Sequence, residues 1–269
     1  MPDYENELGV ARSAAELGAG IALEQFMGSP EAEIKPDGTW VTEADRAAED
    51  AIRSRISKVF PQHNILGEEE GLRSAQGADP KKGAPTWIVD PIDGTNNYMR
   101  GIPVWATLVG LVMDGSPVVG VCSAPALGER YEAAQGAGAR WNGRAIEVDP
   151  TPQLTRAGVA MSGTDGFYEA GLASFLEVLS RGSFRTRGFG DFWGHVLVAR
   201  GALHVMVEPR LSIWDYAPLQ PIVSEAGGRM TRLDGGALDG ECSCLTTNSI
   251  LHDEVLRLVE ETTPSFAGP

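Results

Sequence analysis

Asp90 and Asp93 stand three residues apart in the string Trp87-Ile88-Val89-Asp90-Pro91-Ile92-Asp93-Gly94-Thr95, followed at once by a glycine and a hydroxyl side chain. Hard cations such as Mg²⁺ take oxygen ligands and usually keep positions open for water and substrate phosphate. A glycine lets backbone come close to a ligand, and successive N–H groups in a turn make an anion-binding concavity. Two carboxylates beside a Gly-Thr turn therefore supply metal ligands and anion-binding donors in one place. An ordinary Asp-Pro-Gly turn uses the same residue types, so the elements that carry the pair matter.

Residues 87–89 are apolar and β-prone, as at the end of a buried strand. Pro91 has no N–H, which predicts that the strand stops there. In Ile65-Leu66-Gly67-Glu68-Glu69-Glu70-Gly71 an acidic run directly follows an apolar pair. Such runs are commonly solvated faces, but this one falls where a strand would end. Residues 4–27 carry apolar positions at helical spacing, closed by Gly28-Ser29-Pro30, and Lys35-Pro36-Asp37-Gly38 reads as a turn. Thr42 is a predicted N-cap with Asp45 at N3, opening a helix over 43–59; the plain role of Asp45 is helix-start electrostatics. Residues 73–85 read as a flexible loop, a candidate mobile flap. Residues 104–112 and 118–122 predict a hairpin, continued by 130–134 and 139–141. Asp149-Pro150-Thr151-Pro152 marks a boundary, giving an N-terminal α+β half (1–150) with an antiparallel sheet and a C-terminal α/β half (151–269).

In that second half, strands are predicted near 157–161, 184–187, 203–207 and 245–248, with helices at 170–179, 196–200 and 252–260, and fraying over 262–269. The strand at 203–207 ends in Glu208-Pro209, again a carboxylate at a strand end. Asp191 follows Gly188-Phe189-Gly190 and suits a helix N-cap. Trp214-Asp215 opens a helix running to 226, with Pro218 tolerated in its first turn and Gly227-Gly228 as its stop.

The 269 residues are 42% hydrophobic and 22% charged, ordinary for a globular chain, with a formal net charge of −15. That balance argues against a nucleic-acid-backbone binder. It does not argue against a phosphate substrate, because bound cations invert the local field. Three cysteines give no disulfide framework. No apolar run is long enough to span a membrane, and the acidic N-terminus lacks a signal-peptide pattern, so a cytoplasmic protein is expected. No Cys or Ser nucleophile with a partner base is visible.

The string at 87–95 resembles the first signature of the inositol monophosphatase family of metal-dependent phosphatases. Val41-Thr42-Glu43-Ala44-Asp45, Gly67-Glu68-Glu69, and Trp214-Asp215 with the following Glu225-Ala226-Gly227-Gly228 resemble further family segments, so the resemblance covers nearly the whole chain. It implies a layered αβαβα sandwich, α+β / α/β, shared with fructose-1,6-bisphosphatase, with the site between the halves. It also implies Mg²⁺-dependent hydrolysis of a small phosphorylated metabolite by water attacking in line, with two or three ions, in a homodimer. Carried over residue by residue, Glu68, Asp90 and the Ile92 carbonyl would hold one ion, and Asp90, Asp93 and Asp215 a second. Thr95, supported by Asp45, would activate water together with Glu68. Asp93 and the N–H groups of Gly94 and Thr95 would hold the phosphate.

Gly190-Asp191-Phe192-Trp193-Gly194-His195 and the segment 214–223 resemble the histidinol-phosphate phosphatase branch more than the inositol branch, although tyrosine is common where His195 stands. Asp191, Glu208 and His195 would then face the organic part of the substrate, and two carboxylates suit a cationic amine and imidazole. A packed aromatic is the plain alternative for His195. The alternative activities are hydrolysis of inositol 1-phosphate or another cyclitol, sugar or nucleotide monophosphate. A third reading is a non-catalytic metal- or phosphate-binding module.

Overall fold

The computed structural model describes residues 4–28, 32–35, 40–77 and 79–263. The turns expected at 28–30 and 35–38, and the fraying expected over 262–269, fall wholly or partly outside those residues. By its contacts the chain forms two compact units, Met1–Arg144 with Trp214–Ile222, and Ala145–Ile213 with Val223–Pro269. Asp215, which a linear halving assigns to the second part, thus packs with the first.

The first unit begins with α1 (Glu5–Gln25), whose buried face is mostly alanine and glycine. Small side chains let it lie close to its neighbours: a Cβ on Gly18 would fall 2.6 Å from Ile52 Cδ1. A short antiparallel pair, β1 (Ala32–Ile34) and β2 (Trp40–Thr42), leads into α2 (Glu43–Val59). Then come β3 (Asn64–Gly67), β4 (Gly71–Ser74), β5 (Thr86–Asp93), α3 (Thr95–Met99), β6 (Ala106–Met113), β7 (Ser116–Ala124), β8 (Glu129–Ala134), β9 (Ala139–Trp141) and β10 (Arg144–Ala145). These strands make one sheet in the order β10-β9-β8-β7-β6-β5-β3-β4. β3 and β5 run parallel, while β4 beside β3 and the run from β5 through β9 are antiparallel. Ile52, Ile65, Trp87, Val89, Val109 and Val121 fill the core between sheet and helices.

Three local expectations are corrected. The start of the predicted loop at 73–85 is strand, because Arg73 and Ser74 pair with Ile65 and Asn64 in β4. β5 does not stop at Pro91; it continues to Asp93 across a register shift, where the missing N–H is tolerated. The helix expected over 215–226 is two: α7 (Ile213–Tyr216) and α8 (Leu219–Glu225). Pro218 causes the break, since it disfavours helical backbone at Ala217 and cannot donate to the preceding turn.

The second unit holds β11 (Gly158–Met161), α4 (Thr164–Glu169), α5 (Ala173–Gly182), β12 (Arg185–Arg187), α6 (Asp191–Ala199) and β13 (Val205–Leu211). After the 214–222 excursion come β14 (Arg229–Thr231), β15 (Cys242–Thr247) and α9 (His252–Thr262). The sheet order is β12-β11-β13-β15-β14, parallel from β12 through β13 and antiparallel at β15. β13 runs past Glu208-Pro209 with a register shift rather than ending there. Phe167, Phe175, Leu179, Val205 and Val255 anchor the core against the flanking helices.

Within the first unit the break at Pro218 meets a bare patch of sheet. Gly110 and Gly120 are directly paired across β6 and β7. A Cβ on Gly110 would lie 2.9 Å from Pro218 Cα, and one on Gly120 would lie 1.9 Å from the Pro218 carbonyl oxygen. Two glycines opposite one another thus make the seat for the segment carrying Asp215. Gly120→Ala should cost about 1–3 kcal/mol through overpacking, measured as a lower urea midpoint at unchanged slope. An unchanged midpoint would show that this contact does not fix the segment.

Candidate active site

Residues three apart on a regular strand face opposite sides of the sheet, so Asp90 and Asp93 come together only if β5 is irregular between them. The register against β6 shifts there: Asp90 pairs with Leu108, but Asp93 with Ala106. Two bonds fix the distortion. The Ile92 N–H donates to Asp90 Oδ1 at 3.0 Å, and Thr107 Oγ1 donates to the Pro91 carbonyl at 2.7 Å. Gly94 then turns the chain with φ at +85°, and α3 begins.

Asp215 reaches the same place on α7. Asp90, Asp93 and Asp215 each offer a carboxylate oxygen within 4.8 Å of the others. Burial, reinforced by Glu68, Asp93 and Asp215, pushes the Asp90 carboxyl well above its ordinary value. A set of hard oxygen donors that repel one another when ionised suits a Mg²⁺-, Ca²⁺- or Mn²⁺-type cation.

Glu68 approaches this group without being one of the three. Its N–H donates to the Val89 carbonyl at 3.1 Å, placing it beside Asp90. Its Oε1 accepts from Lys35 Nζ at 2.7 Å, and the same ammonium donates to Glu69 Oε1 at 2.9 Å. Burial works against the charge on Lys35, yet Glu68 and Glu69 hold its pKa above the ordinary value. Burial outweighs Lys35 for Glu69, whose carboxyl rises to about 7. Nothing in the sequence around Lys35 signals this cation.

Asp45 fills its predicted capping box. Oδ2 accepts from the Thr42 N–H at 2.7 Å and from Thr42 Oγ1 at 2.5 Å. It is fully buried, and burial raises it to about 6. The Thr95 hydroxyl donates to the Ile92 carbonyl at 3.0 Å, so Thr95 and Ile92 are in contact. Asp45 bonds to Thr42 rather than to Thr95, while its buried Oδ1 has no hydrogen-bond partner among the described residues.

The three candidate substrate residues lie together in the second unit. Asp191 is the first residue of α6 rather than its N-cap, a position taken by Gly190. Its φ of +57° is a left-handed conformation that Asp tolerates better than most residues, and burial raises its carboxyl to about 6. Glu208 is buried on β13, opposite Cys244. A Cβ on Gly190 would lie 3.7 Å from Glu208 Oε1, so the two carboxylates belong to adjoining backbone. His195, one turn after Asp191, is buried with Nδ1 2.7 Å from Thr246 Oγ1. Burial depresses it to about 3, which keeps the ring neutral.

The sequence profile of the inositol monophosphatase family matches residues 3–263. The chain belongs to that family. A histidinol-phosphatase of Streptomyces coelicolor is 41% identical over 268 residues, covering 95% of this chain and 97% of the relative. A histidinol-phosphatase of Mycobacterium tuberculosis is 44% identical over 229 residues, 83% and 86% of the two chains. Among solved structures, an IMPase of Thermotoga maritima superposes with a TM-score of 0.85 at 28% identity, covering 97% of this chain and all (100%) of that one. The inositol monophosphatase fold is therefore the fold of this chain, and its activity is that of a phosphatase acting on phosphate monoesters. No described helix is long and apolar enough to cross a membrane.

The raised carboxyls have a consequence for the metal-free protein. A carboxyl whose folded pKa lies above its unfolded value costs nothing below the unfolded value; its penalty grows until the pH passes the folded one. Glu69 rises to about 7 and Asp90 is also raised by burial and its acidic neighbours, so Glu69 carries that loss to neutral pH. The depressed His195 and His252 act oppositely, but their effect is complete once unfolded histidine is neutral, near pH 7. In EDTA, Tm should therefore fall between about pH 7 and about pH 8, as the Glu69 carboxyl finishes ionising, and millimolar MgCl2 should reduce the fall. A flat Tm in EDTA over that range would refute the electrostatic account.

Proposed function

We propose that this chain hydrolyses histidinol phosphate in a Mg²⁺-dependent reaction, with water attacking phosphorus in line. The observation that carries the substrate is the pair of histidinol-phosphatases at 41% and 44% identity over most of the chain. The buried Glu208 and the half-buried Asp191 support it, because two carboxylates suit the cationic amine and imidazole of histidinol better than a neutral polyol. We also propose a cytoplasmic homodimer, as the family resemblance implies.

In this reading Asp90, Asp93, Asp215, Glu68 and the Ile92 carbonyl would hold two or three Mg²⁺. The chemistry supplied there is polarisation of the phosphate, a lowered pKa for water and neutralisation of the leaving oxygen. Glu68 and the Thr95 hydroxyl orient the attacking water. Asp45 would support Thr95, as the family resemblance implies, although its own bonds go to Thr42 and the Thr95 hydroxyl donates to the Ile92 carbonyl. Asp93 and the N–H groups of Gly94 and Thr95 hold the phosphate, since the first N–H groups of α3 have no partner within the helix. Asp191, Glu208 and His195 hold the organic part, with His195 neutral and tied to Thr246.

Two substitutions test this. Asp215→Asn should lower kcat/KM by at least ~100-fold at saturating Mg²⁺, because a lost ligand charge weakens cation binding and transition-state stabilisation together; near-normal turnover would sink the assignment. Asp191→Asn keeps a residue that tolerates the left-handed backbone but removes the charge. It should lose about 1.5–3 kcal/mol in kcat/KM for histidinol phosphate and little for inositol 1-phosphate. Equal losses for both esters would make Asp191 a structural residue, and a wild-type preference for inositol 1-phosphate would overturn the histidinol reading.

A further inference from the structure

Two charged residues of α2 are buried against the turn that carries Glu68. Glu49 is 0% exposed and Arg53 9%. Glu49 Oε2 accepts the Glu69 N–H at 2.8 Å, while Oε1 accepts the Glu70 N–H at 3.1 Å and Arg53 Nε at 2.7 Å. Arg53 extends the same system to the strands on either side, donating from Nη2 to the Gly71 carbonyl at 2.7 Å and from Nη1 to the Ile65 carbonyl at 3.4 Å. The carboxylate also lies against bare backbone, for a Cβ on Gly67 would fall 2.1 Å from Glu49 Oε1. One carboxylate and one guanidinium thus clasp the chain from β3 through the turn into β4. Glu68 sits inside that clasp, held from the other side by its N–H bond to Val89, the residue before Asp90.

We propose that Glu49 and Arg53 are positioning residues for Glu68: they touch neither substrate nor cation, but fix the turn so that the Glu68 carboxylate stands beside Asp90, and so set cation affinity. The inference rests on the reading of Glu68 as a ligand given above. Stability alone is a weak reason for such a pair, since buried ion pairs can often be replaced by apolar residues at no loss. Their bonds go to the backbone of the acidic turn on both sides of Glu68. Partners that orient a ligand in this way typically change metal affinity ~10–100-fold when removed.

The test uses the full chain, with Mg²⁺ binding followed by calorimetry alongside phosphate release. Glu49→Gln turns an amide NH2 against a backbone N–H and should weaken Mg²⁺ binding ~10–100-fold, with a smaller loss of kcat once Mg²⁺ is saturating. Arg53→Lys, which cannot reach Glu49 and both carbonyls at once, should act in the same direction more mildly, and it decides the matter if Glu49→Gln does not fold. Leu179→Ala, in the core of the second unit, supplies a destabilised protein whose Mg²⁺ affinity should match wild type. Wild-type Mg²⁺ affinity in a folded Glu49→Gln protein, with only a lowered Tm, would overturn the positioning role. Glu68→Gln separates the two levels: if it binds Mg²⁺ normally, the ligand reading fails and takes this inference with it.

Discussion

Carboxylates crowded at the ends of β3 and β5 repel one another, and much of the first unit is arranged to hold them together regardless. Asp90 is buried beside Asp93 and Asp215, and Glu68 adds to the field on it. Each is fixed by a different device. A register shift turns Asp90 and Asp93 to one side, paired glycines seat the segment bearing Asp215, and an N–H bond to Val89 sets Glu68. Repulsion of this kind is an unfavourable term in folding that a bound cation removes, so ligand binding and the stability of the site are linked. Lys35 offsets part of it at the edge, where its ammonium bridges Glu68 and Glu69.

Much of this was legible in the sequence because the relevant signals are local. Asp90, Asp93, Gly94 and Thr95 fall within six consecutive residues, and the Thr42/Asp45 capping box is a four-residue pattern that the structure reproduces in both of its bonds. Pro91 predicts a strand end and Pro218 a tolerated residue of a helix's first turn, and the structure differs at both. At Pro91 the sheet absorbed the missing donor as a shift and continued; at Pro218 the helix split. Strand-strand pairing decides the first case, and the α region forbidden before proline decides the second.

What the sequence hid depends on distant parts of the chain. Glu49 and Arg53 are an i,i+4 pair of a kind common on solvated helix faces; their burial follows from the β3–β4 hairpin folding back over α2, which no spacing within α2 announces. An acid and a base at i,i+4 beside the apolar stripe at Ala48 and Ile52 was the available hint. Lys35 reaches Glu68 across more than thirty positions of sequence. Asp191 looked like a cap because Asp follows Gly there, but the cap is Gly190, and Asp191 takes a left-handed backbone.

The glycine pair under Pro218 also bears on the order in which the protein can be assembled. Asp215 joins Asp90 and Asp93 from more than a hundred residues further along, after the chain has left the first unit and built most of the strands of the second. Contacts so distant in sequence close large loops and form late, and a ribosome releases the N-terminal part first. Until the 214–222 segment arrives, Pro218 does not cover Gly110 and Gly120, and the cluster has two of its three carboxylates. The third arrives only when Asp215 itself has emerged, so the cluster of three carboxylates cannot form from the N-terminal segment alone.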